Sequence, residues 1–247
     1  KKEAAKYYKL AADQGHVDSM FSYANMLSEG NGIETYKKEA ARYYKLAADK
    51  GHVNSMFSYA NMLNVGDGIE TNKLESAQYY KLLADQGHAD SMLRYACMLF
   101  GGDGIDANKM EADRYFKLAA DKGNTDAMVM HAGMLFNGDG IEMNKKEAMR
   151  CYKLAADNGK VGAKLEYALK NYGDEEFPAN KPEAAKYFKL AAEHKNLDAL
   201  LCIASMLDIG DGIEMNKKEA ARYYRLAARQ GHVKSMYNYA FMKGEGD

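Results

Sequence analysis

Residues 37–72 read KKEAARYYKLAADKGHVNSMFSYANMLNVGDGIETN, and close copies of this 36-residue unit make up the rest of the chain. The first lysine of the unit recurs without insertion or deletion, which gives six full units and a seventh of 31 residues. A fixed period of this length is typical of a solenoid built from one repeated structural unit. The sequence therefore predicts a single repeat domain over 1–247. Its units are 1–36, 37–72, 73–108, 109–144, 145–180, 181–216 and 217–247.

Each unit contains two amphipathic helical segments, at about positions 2 to 14 and 17 to 29 of the unit. At 100° per residue, the apolar residues of the first segment cover an arc of roughly 220°. Because so wide an arc is buried only between two neighbours, we predict stacked helical hairpins. Leucine at position 10 and alanine at positions 12 and 24 are identical in all seven units, which indicates a common packing role. The predicted fold is all-α, a right-handed α-solenoid of helix-turn-helix repeats.

Capping and turn residues recur at the ends of these helices. Asn72 precedes a first helix and Glu75 follows three residues later, a variant of the capping box that satisfies free N–H groups. Gly51 ends a first helix, where a left-handed residue is favoured. A Gly-Asp-Gly loop then precedes Ile69, which we expect to fill the groove between units. The same residue types recur at these positions in most other units.

The unit as a whole resembles the Sel1-like repeat, a relative of the tetratricopeptide repeat. The resemblance rests on Ala-x-x-Tyr-Tyr-x-Leu-Ala-Ala-x-x-Gly-His, Ser/Ala-Met-x-x-Tyr-Ala-x-Met-Leu and Gly-Asp-Gly-Ile, and covers essentially all 247 residues. A Leu-Gly pair usual in the family reads Tyr23-Ala24 here, which implies wider helix spacing. The 34-residue tetratricopeptide repeat itself differs in period and lacks the Gly-x-Gly loop. The resemblance implies a non-enzymatic scaffold that binds protein partners.

The junction between the fifth and sixth units and the two ends depart from this regularity. Both prolines, Pro178 and Pro182, fall at this junction, where residues 171–178 replace the Gly-Asp-Gly-Ile loop, and Lys195 replaces the turn glycine. We expect Pro182 to lie in the first turn of a helix. For the junction loop we expect a changed sequence with unchanged geometry, the alternative being a kink or a loop used for a specific contact. Neither end has the polar capping repeat usual in solenoids. We therefore expect a segment of a longer chain with apolar surface at both ends.

Composition restricts the partners and the compartment. Lys and Arg number 34 against 35 Asp and Glu, so global charge indicates no polyanionic partner. No apolar run approaches the ~18 residues of a membrane helix, so we expect no membrane insertion. Three widely spaced cysteines argue against a disulfide framework. These cysteines and the lack of an Asn-x-Ser/Thr glycosylation site favour a cytoplasmic location. The family resembled also includes endoplasmic-reticulum and secreted members.

The sequence carries no recognisable catalytic or metal-binding pattern. His16, His52, His88 and His232 share one unit position, so successive copies lie ~10 Å apart and cannot converge on one zinc ion. A structural role at a helix start suits them better. The Gly-Asp-Gly-Ile loops match neither a Walker loop nor an EF-hand. We predict no enzymatic activity, no cofactor, no metal and no small-molecule substrate.

Positions that differ between units are the candidates for recognition. By resemblance to the tetratricopeptide fold, the second helix lines a concave side that holds a partner's peptide or helix, and its positions 22 and 25 vary freely. Large rings at position 28 of three adjacent units add an apolar stripe, the alternative being that they fill a gap between units. The predicted partner-binding residues are Asn25, Asn61, Arg94, Cys97, Phe100, Met130, Phe136, Glu166, Leu169 and Tyr172.

A second candidate surface is basic. Positions 1, 6 and 9 of the first helix hold 20 of the 34 basic residues. These ladders suggest an alternative function, a structural component of a filament or large assembly that contacts an acidic surface. Glu3 and Asp13 supply counter-charges, so a merely solvated face is the simpler interpretation. Since no aromatic residues alternate with the basic ones, we do not expect nucleic-acid binding.

Overall fold

The computed structural model describes residues 1–173 and 179–244, which form fourteen α-helices and no strand. Each 36-residue unit contributes two helices, which confirms the helix-turn-helix repeat. The helices are α1 (Lys2–Asp13), α2 (Val17–Glu29), α3 (Lys37–Ala48), α4 (Val53–Val65), α5 (Lys73–Asp85), α6 (Ala89–Gly101), α7 (Lys109–Asp121), α8 (Thr125–Asn137), α9 (Lys145–Asp157), α10 (Val161–Tyr172), α11 (Lys181–Ala192), α12 (Leu197–Ile209), α13 (Lys217–Ala228) and α14 (Val233–Gly244).

The helices group into two compact units, Lys1–Ala127 and Met128–Asp247. In the first, each helix from α1 to α7 packs mainly on the helices next to it in sequence. In the second, the helices from α9 to α14 pack in the same way. Burial therefore depends on neighbouring hairpins, as expected for a repeat protein.

Small alanines and large rings share the core. Alanine at position 24 is completely buried in the first six repeats, at Ala24, Ala60, Ala96, Ala132, Ala168 and Ala204. Beside these small residues, rings from positions 7 and 8 fill the space between helices. Tyr43, Tyr80, Tyr115, Phe116, Tyr187 and Phe188 are each at most 2% exposed. Such alternation of small and large side chains lets neighbouring helices pack closely.

Position 10 lies outside this buried core, although its identity in all seven units predicts a packing role; Leu190 and Leu226 are half-buried, and the other five leucines are exposed. Leu46, Leu82, Leu118 and Leu154 are 38%, 46%, 41% and 53% exposed, although each lies in a repeat with neighbours on both sides. The reason is geometric. At 100° per residue, position 10 lies at the margin of the apolar arc, closer to the basic position 6 than to the buried position 8.

The helix ends have the predicted caps and left-handed turn residues. Asn72 Oδ1 accepts a hydrogen bond from the backbone N–H of Glu75 at 3.1 Å, while the Glu75 carboxylate accepts one from the Asn72 side chain at 2.9 Å. Gly51 has a φ of +84°. Lys195 keeps this left-handed conformation with a φ of +60°, at the turn where other units have glycine. The turn geometry is thus retained even where the glycine is lost.

The irregular fifth junction is described only in part. Pro182 lies in the first turn of α11, as predicted, after a cap formed by the Asn180 side chain. Pro178 and the rest of 174–178 lie outside the described residues. At the two ends, the predicted exposed apolar surface is present, since Tyr7 and Tyr237 are 63% and 69% exposed.

Candidate functional site

Position 22 of the second helix is the most consistent candidate for contact with a partner. It is partly or fully exposed in every repeat, whereas position 24, two residues further on, is completely buried in six. The residues at position 22 are Ser22, Ser58, Arg94, Met130, Glu166, Cys202 and Asn238. Because this position contributes little to the core, its side chain is free to vary in size and charge.

In the first compact unit, Arg94 and Cys97 are both exposed and lie one turn apart on α6. Residues three apart on a helix share one face. Burial of the sulfur raises the pKa of the Cys97 thiol, and the positive charge of Arg94 opposes this rise. The thiol is therefore protonated at neutral pH and is not an activated nucleophile.

In the second compact unit, the corresponding surface is formed by Met130, Glu166 and Leu169. Met130 and Glu166 are half-buried, and Leu169 is 41% exposed. Glu166 and Leu169 lie one turn apart on α10, in the same relation as Arg94 and Cys97 on α6. We call Arg94 and Cys97 the second-helix surface of the first unit, and Met130, Glu166 and Leu169 the second-helix surface of the second unit.

Asn25 and Asn61 are engaged in packing between repeats. The Asn25 Oδ1 accepts a hydrogen bond from the Tyr44 hydroxyl at 2.5 Å, and the Asn61 Oδ1 accepts one from the Tyr80 hydroxyl at 2.6 Å. Both asparagines are half-buried. Each bond joins position 25 of one repeat to position 8 of the next, so these two residues support stacking in addition to any role at the surface.

This contact corresponds to a pattern in the sequence, a pairing of position 25 with position 8 of the next repeat, which a search for variable positions missed. Where position 25 is asparagine, the next repeat has tyrosine at position 8. Where it is Cys97 or Leu169, the next repeat has Phe116 or Phe188, which lacks the hydroxyl group. The match in hydrogen-bonding capacity holds at these four junctions, whereas Gly133 has no side-chain acceptor for Tyr152 of the next repeat.

The rings at position 28 lie against lysines. Phe136 is 5% exposed, and the Nζ atoms of Lys145 and Lys170 lie 5.1 Å and 4.3 Å from its centroid. Lys109 Nζ lies 5.2 Å from the half-buried Phe100 ring. The burial of Phe136 favours the alternative in which this ring fills a gap.

Tyr172 is the most accessible of the three rings. It is 38% exposed, and its hydroxyl donates to Asp211 Oδ2 at 2.6 Å. This bond and burial raise the pKa of Tyr172, while hydrogen bonds from Lys181 and Tyr172 lower the pKa of the Asp211 carboxyl. Lys181 Nζ also lies 5.3 Å from the Tyr172 centroid. The polar groups around this ring are thus already partnered within the chain.

The basic ladders of the first helices are largely neutralised by ion pairs. At position 9, Lys81 Nζ lies 2.8 Å from Asp85, and Lys189 Nζ lies 2.8 Å from Glu219. Further pairs at positions 9, 6 and 1 are Lys9–Asp13, Lys45–Asp49, Lys153–Glu183, Arg42–Glu39, Arg114–Glu111, Arg150–Glu147, Lys37–Asp67, Lys73–Asp103, Lys181–Asp211 and Lys217–Asp208. Exposed pairs of this kind add little stability, but they cancel much of the positive field.

The histidines at position 16 act as helix caps. His52 Nδ1 accepts a hydrogen bond from the backbone N–H of Ser55 at 3.2 Å and contacts the Ser55 hydroxyl at 2.8 Å. His16, His88 and His232 make the same contacts in their repeats. Across residues 1–173 and 179–244, no group of three His, Cys, Asp or Glu side chains is placed to hold a metal ion. Nor does any helix there combine the length and apolar character needed to cross a bilayer.

Known structures share this architecture. The chain superposes on c5321, a protective antigen of uropathogenic Escherichia coli with an SLR fold, with a TM-score of 0.87 and 24% identity. The match covers 98% of this chain and 52% of the E. coli protein, so this chain spans about half of that relative. A Sel1 repeat protein from Oxalobacter formigenes gives a TM-score of 0.73 at 23% identity, over 85% of this chain and 84% of the other.

The family assignment comes from the sequence of the repeats. No curated protein matches the chain by sequence. A family model of the Sel1 repeat matches residues 1–16, 17–52, 53–88, 89–124, 125–160, 163–196 and 199–232. Most of these segments have the 36-residue period and run from the second helix of one unit to the first helix of the next. The chain therefore belongs to the Sel1 repeat family.

Proposed function

We propose that this chain is an interaction scaffold that holds a peptide or helix of a protein partner on its second-helix surfaces, which we take to lie on the concave side. Sel1 repeat proteins are generally protein-interaction scaffolds. The observation that carries the proposal is the contrast between position 22, which varies and is at least partly exposed in every repeat, and position 24, which is always alanine and is completely buried in six repeats. Repeat proteins bind through surfaces that the stacking of their repeats leaves free.

The second-helix surfaces offer different chemistry in the two compact units. Arg94 supplies a cation suited to a carboxylate of the partner, and Arg is frequent among the residues that dominate binding energy. Met130 and Leu169 supply apolar contact area beside the carboxylate of Glu166. We propose that such a partner is bound without chemical conversion, in line with a family that is typically non-enzymatic, and that the chain works in the cytoplasm.

Site-specific photo-cross-linking tests this proposal. A benzophenone amino acid at position 94 or 166 should give a partner adduct of defined mass in the native cells. The same group at Val65 or Ile209, both 70% exposed on second helices but outside these surfaces, should not. Adding Leu169→Ala should reduce the adduct at position 166, and thermal melting checks that this variant remains folded. Adducts formed equally at all four positions would contradict the proposal.

The alternative function, a structural component that contacts an acidic surface through basic ladders, gains no support. Most of the ladder residues are paired with carboxylates, as described above, and these pairs cancel much of the positive field.

A further inference from the structure

A groove of about 630 Å³ lies between α1 and the loop that leads into α3. Its floor is apolar, because Ala5 and Leu27 are nearly fully buried and the half-buried Ile33 packs against the same core. Lys2, Lys6 and Lys9 line it from α1. Since residues spaced by four and three share one helical face, these three lysines stand in a row along it.

The same groove recurs in the sixth repeat, where it has a volume of about 650 Å³. Ala185, Leu207 and Ile213 take the places of Ala5, Leu27 and Ile33, and Lys186 and Lys189 those of Lys6 and Lys9. The sixth repeat has a repeat on each side of it in the second compact unit. The groove therefore also forms where a repeat has neighbours on both sides.

The two grooves differ in charge. In the sixth repeat, Lys189 is paired with Glu219 at 2.8 Å, position 2 is Pro182, and Glu214 is a second acidic residue in the lining. In the first repeat, Lys9 is paired with Asp13 at 2.8 Å. Lys2 and Lys6 form no ion pair within the described residues, and both are exposed.

Within the lining of the first groove, Glu34 is the one acidic residue among those described. Three lysines thus face a single carboxylate, and two of these lysines have no partner of their own. The first groove consequently combines an apolar floor with a net positive rim, whereas two lysines balance two glutamates in the lining of the sixth.

We propose that the groove of the first repeat binds a short extended peptide segment in which carboxylates flank an apolar side chain. The apolar side chain contacts Ala5, Leu27 and Ile33, and the carboxylates pair with Lys2 and Lys6. The rise from Lys2 to Lys9 is about 10 Å, which matches about three residues of extended chain. Lys2 and Lys6 are one turn apart, roughly the distance between alternate side chains of an extended peptide.

This surface is independent of the second-helix surfaces. It is formed by α1, by Tyr23 and Leu27 of α2 and by the loop that follows, and its lining includes none of Arg94, Cys97, Met130, Glu166 or Leu169. A scaffold with both surfaces would hold two segments at once, and linked binding of two segments raises the overall affinity without any new contact.

Methyl NMR on the 247-residue chain tests the proposal with the peptide Ser-Glu-Leu-Glu-Ser as the probe. Titration should shift the Ile33 methyl signal and leave the equivalent Ile213 signal unchanged. Lys2→Glu/Lys6→Glu should weaken binding roughly tenfold, since two attractive pairs become repulsive. The matched control, Lys186→Glu in the neutral groove, should leave the affinity unchanged. All the changed lysines are exposed, and circular dichroism melting checks that the variants fold.

Three outcomes would overturn the proposal. The first is equal weakening by Lys186→Glu and by Lys2→Glu/Lys6→Glu, or no weakening by the double change. The second is unchanged binding of Ser-Ser-Leu-Ser-Ser, which would make the carboxylates irrelevant. The third is sedimentation of the free chain as a dimer that Lys2→Glu/Lys6→Glu dissociates, which would make a second copy the occupant of the groove.

Discussion

At the residue scale, single hydrogen bonds across a repeat junction restrict which residue pairs are compatible. Burial, together with the negative charge of Glu29, raises the pKa of Tyr44 to about 12. Its hydroxyl therefore stays protonated and needs a hydrogen-bond acceptor. Asn25 supplies that acceptor. A buried polar group that loses its partner costs more than the bond itself contributes, which favours a matched pair at this junction.

Tyr44→Phe should lower the free energy of unfolding by about 1 kcal/mol, because it leaves the half-buried Asn25 amide without this partner. Asn25→Leu in the same chain should restore part of the loss, since the Leu and Phe pairing already occurs at Leu169 and Phe188. Urea denaturation of both single variants and the double variant gives the coupling energy. Strictly additive losses would show that the two side chains do not depend on each other.

Lys195→Gly should stabilise the chain by about 0.5 kcal/mol. A left-handed conformation costs a side-chain-bearing residue ~1 kcal/mol, and the greater freedom of glycine in the unfolded chain offsets part of that gain. Lys195→Ala is the matched control, because alanine carries the same backbone strain and should bring no such gain. Thermal melting compares the three chains, and equal melting temperatures for Gly and Ala would contradict the prediction.

Alkaline pH should destabilise the fold through its buried tyrosines. Burial raises the pKa of Tyr43, Tyr44 and Tyr152 to about 12 from an ordinary value of 10.0. The unfolded chain releases these protons first, so stability is retained below pH 10 and falls as the pH rises towards 12. Urea denaturation at several pH values measures the slope. Tyr152→Phe should make it shallower, and a stability that does not change up to pH 12 would refute the assignment.

At the scale of the element, six of the seven second helices begin with a side chain that accepts a hydrogen bond from a backbone N–H. Histidine does this in four repeats, while Asn124 and Asn196 do it in two others, at 2.9 Å from the N–H groups of Ala127 and Ala199. Lys160 makes no such bond at the start of α10. Two different residue types therefore perform one structural task, and the histidines need no other explanation.

His88→Ala should destabilise the chain by about 1 kcal/mol, the usual cost of a lost N-cap. His88→Asn should retain most of the stability, because asparagine already caps the equivalent helices, although the contact of the His88 ring with Phe57 at 5.1 Å is lost. Chemical denaturation distinguishes the two variants. Equal losses for Ala and Asn would show that the ring contact matters more than the cap.

At the scale of the whole molecule, burial follows the number of neighbouring hairpins. α3 and α11 each bury six residues, whereas α1 buries only Ala5 and Ala12, and in α14 only Ser235 is buried among the residues described. Because each helix packs mainly on its neighbours in sequence, a local opening need not involve the rest of the chain. Stability is thus expected to vary along the chain.

Amide hydrogen exchange measured by mass spectrometry should find the fastest exchange in α1 and α14 and the slowest in α3 and α11. The physical reason is that helices with few buried contacts open at low free-energy cost. Peptides that cover α5, which buries five residues, should exchange at an intermediate to slow rate. Uniform protection from α1 to α14 would indicate global unfolding in a single step and would contradict the prediction.

The sequence alone predicted the period, the two helices per unit, the caps and the family, because each of these depends on local spacing that repeats many times. Asn72 and Gly51, for example, mark helix ends through interactions within a few residues. The pattern did not predict the exposure of Leu46. Periodicity identifies the apolar face of a helix, but it does not show how much of that face the neighbouring hairpin covers.

Which variable residues are available to a partner was decided only by the tertiary structure. The arrangement of successive helices leaves Arg94 exposed, joins Asn25 to Tyr44, buries Phe136 between two lysines and opens a groove beside Lys6. The physical reason is that helix formation is set by contacts within a few residues of sequence. Exposure, in contrast, depends on side chains some 20 to 30 positions away, which meet only when the repeats stack.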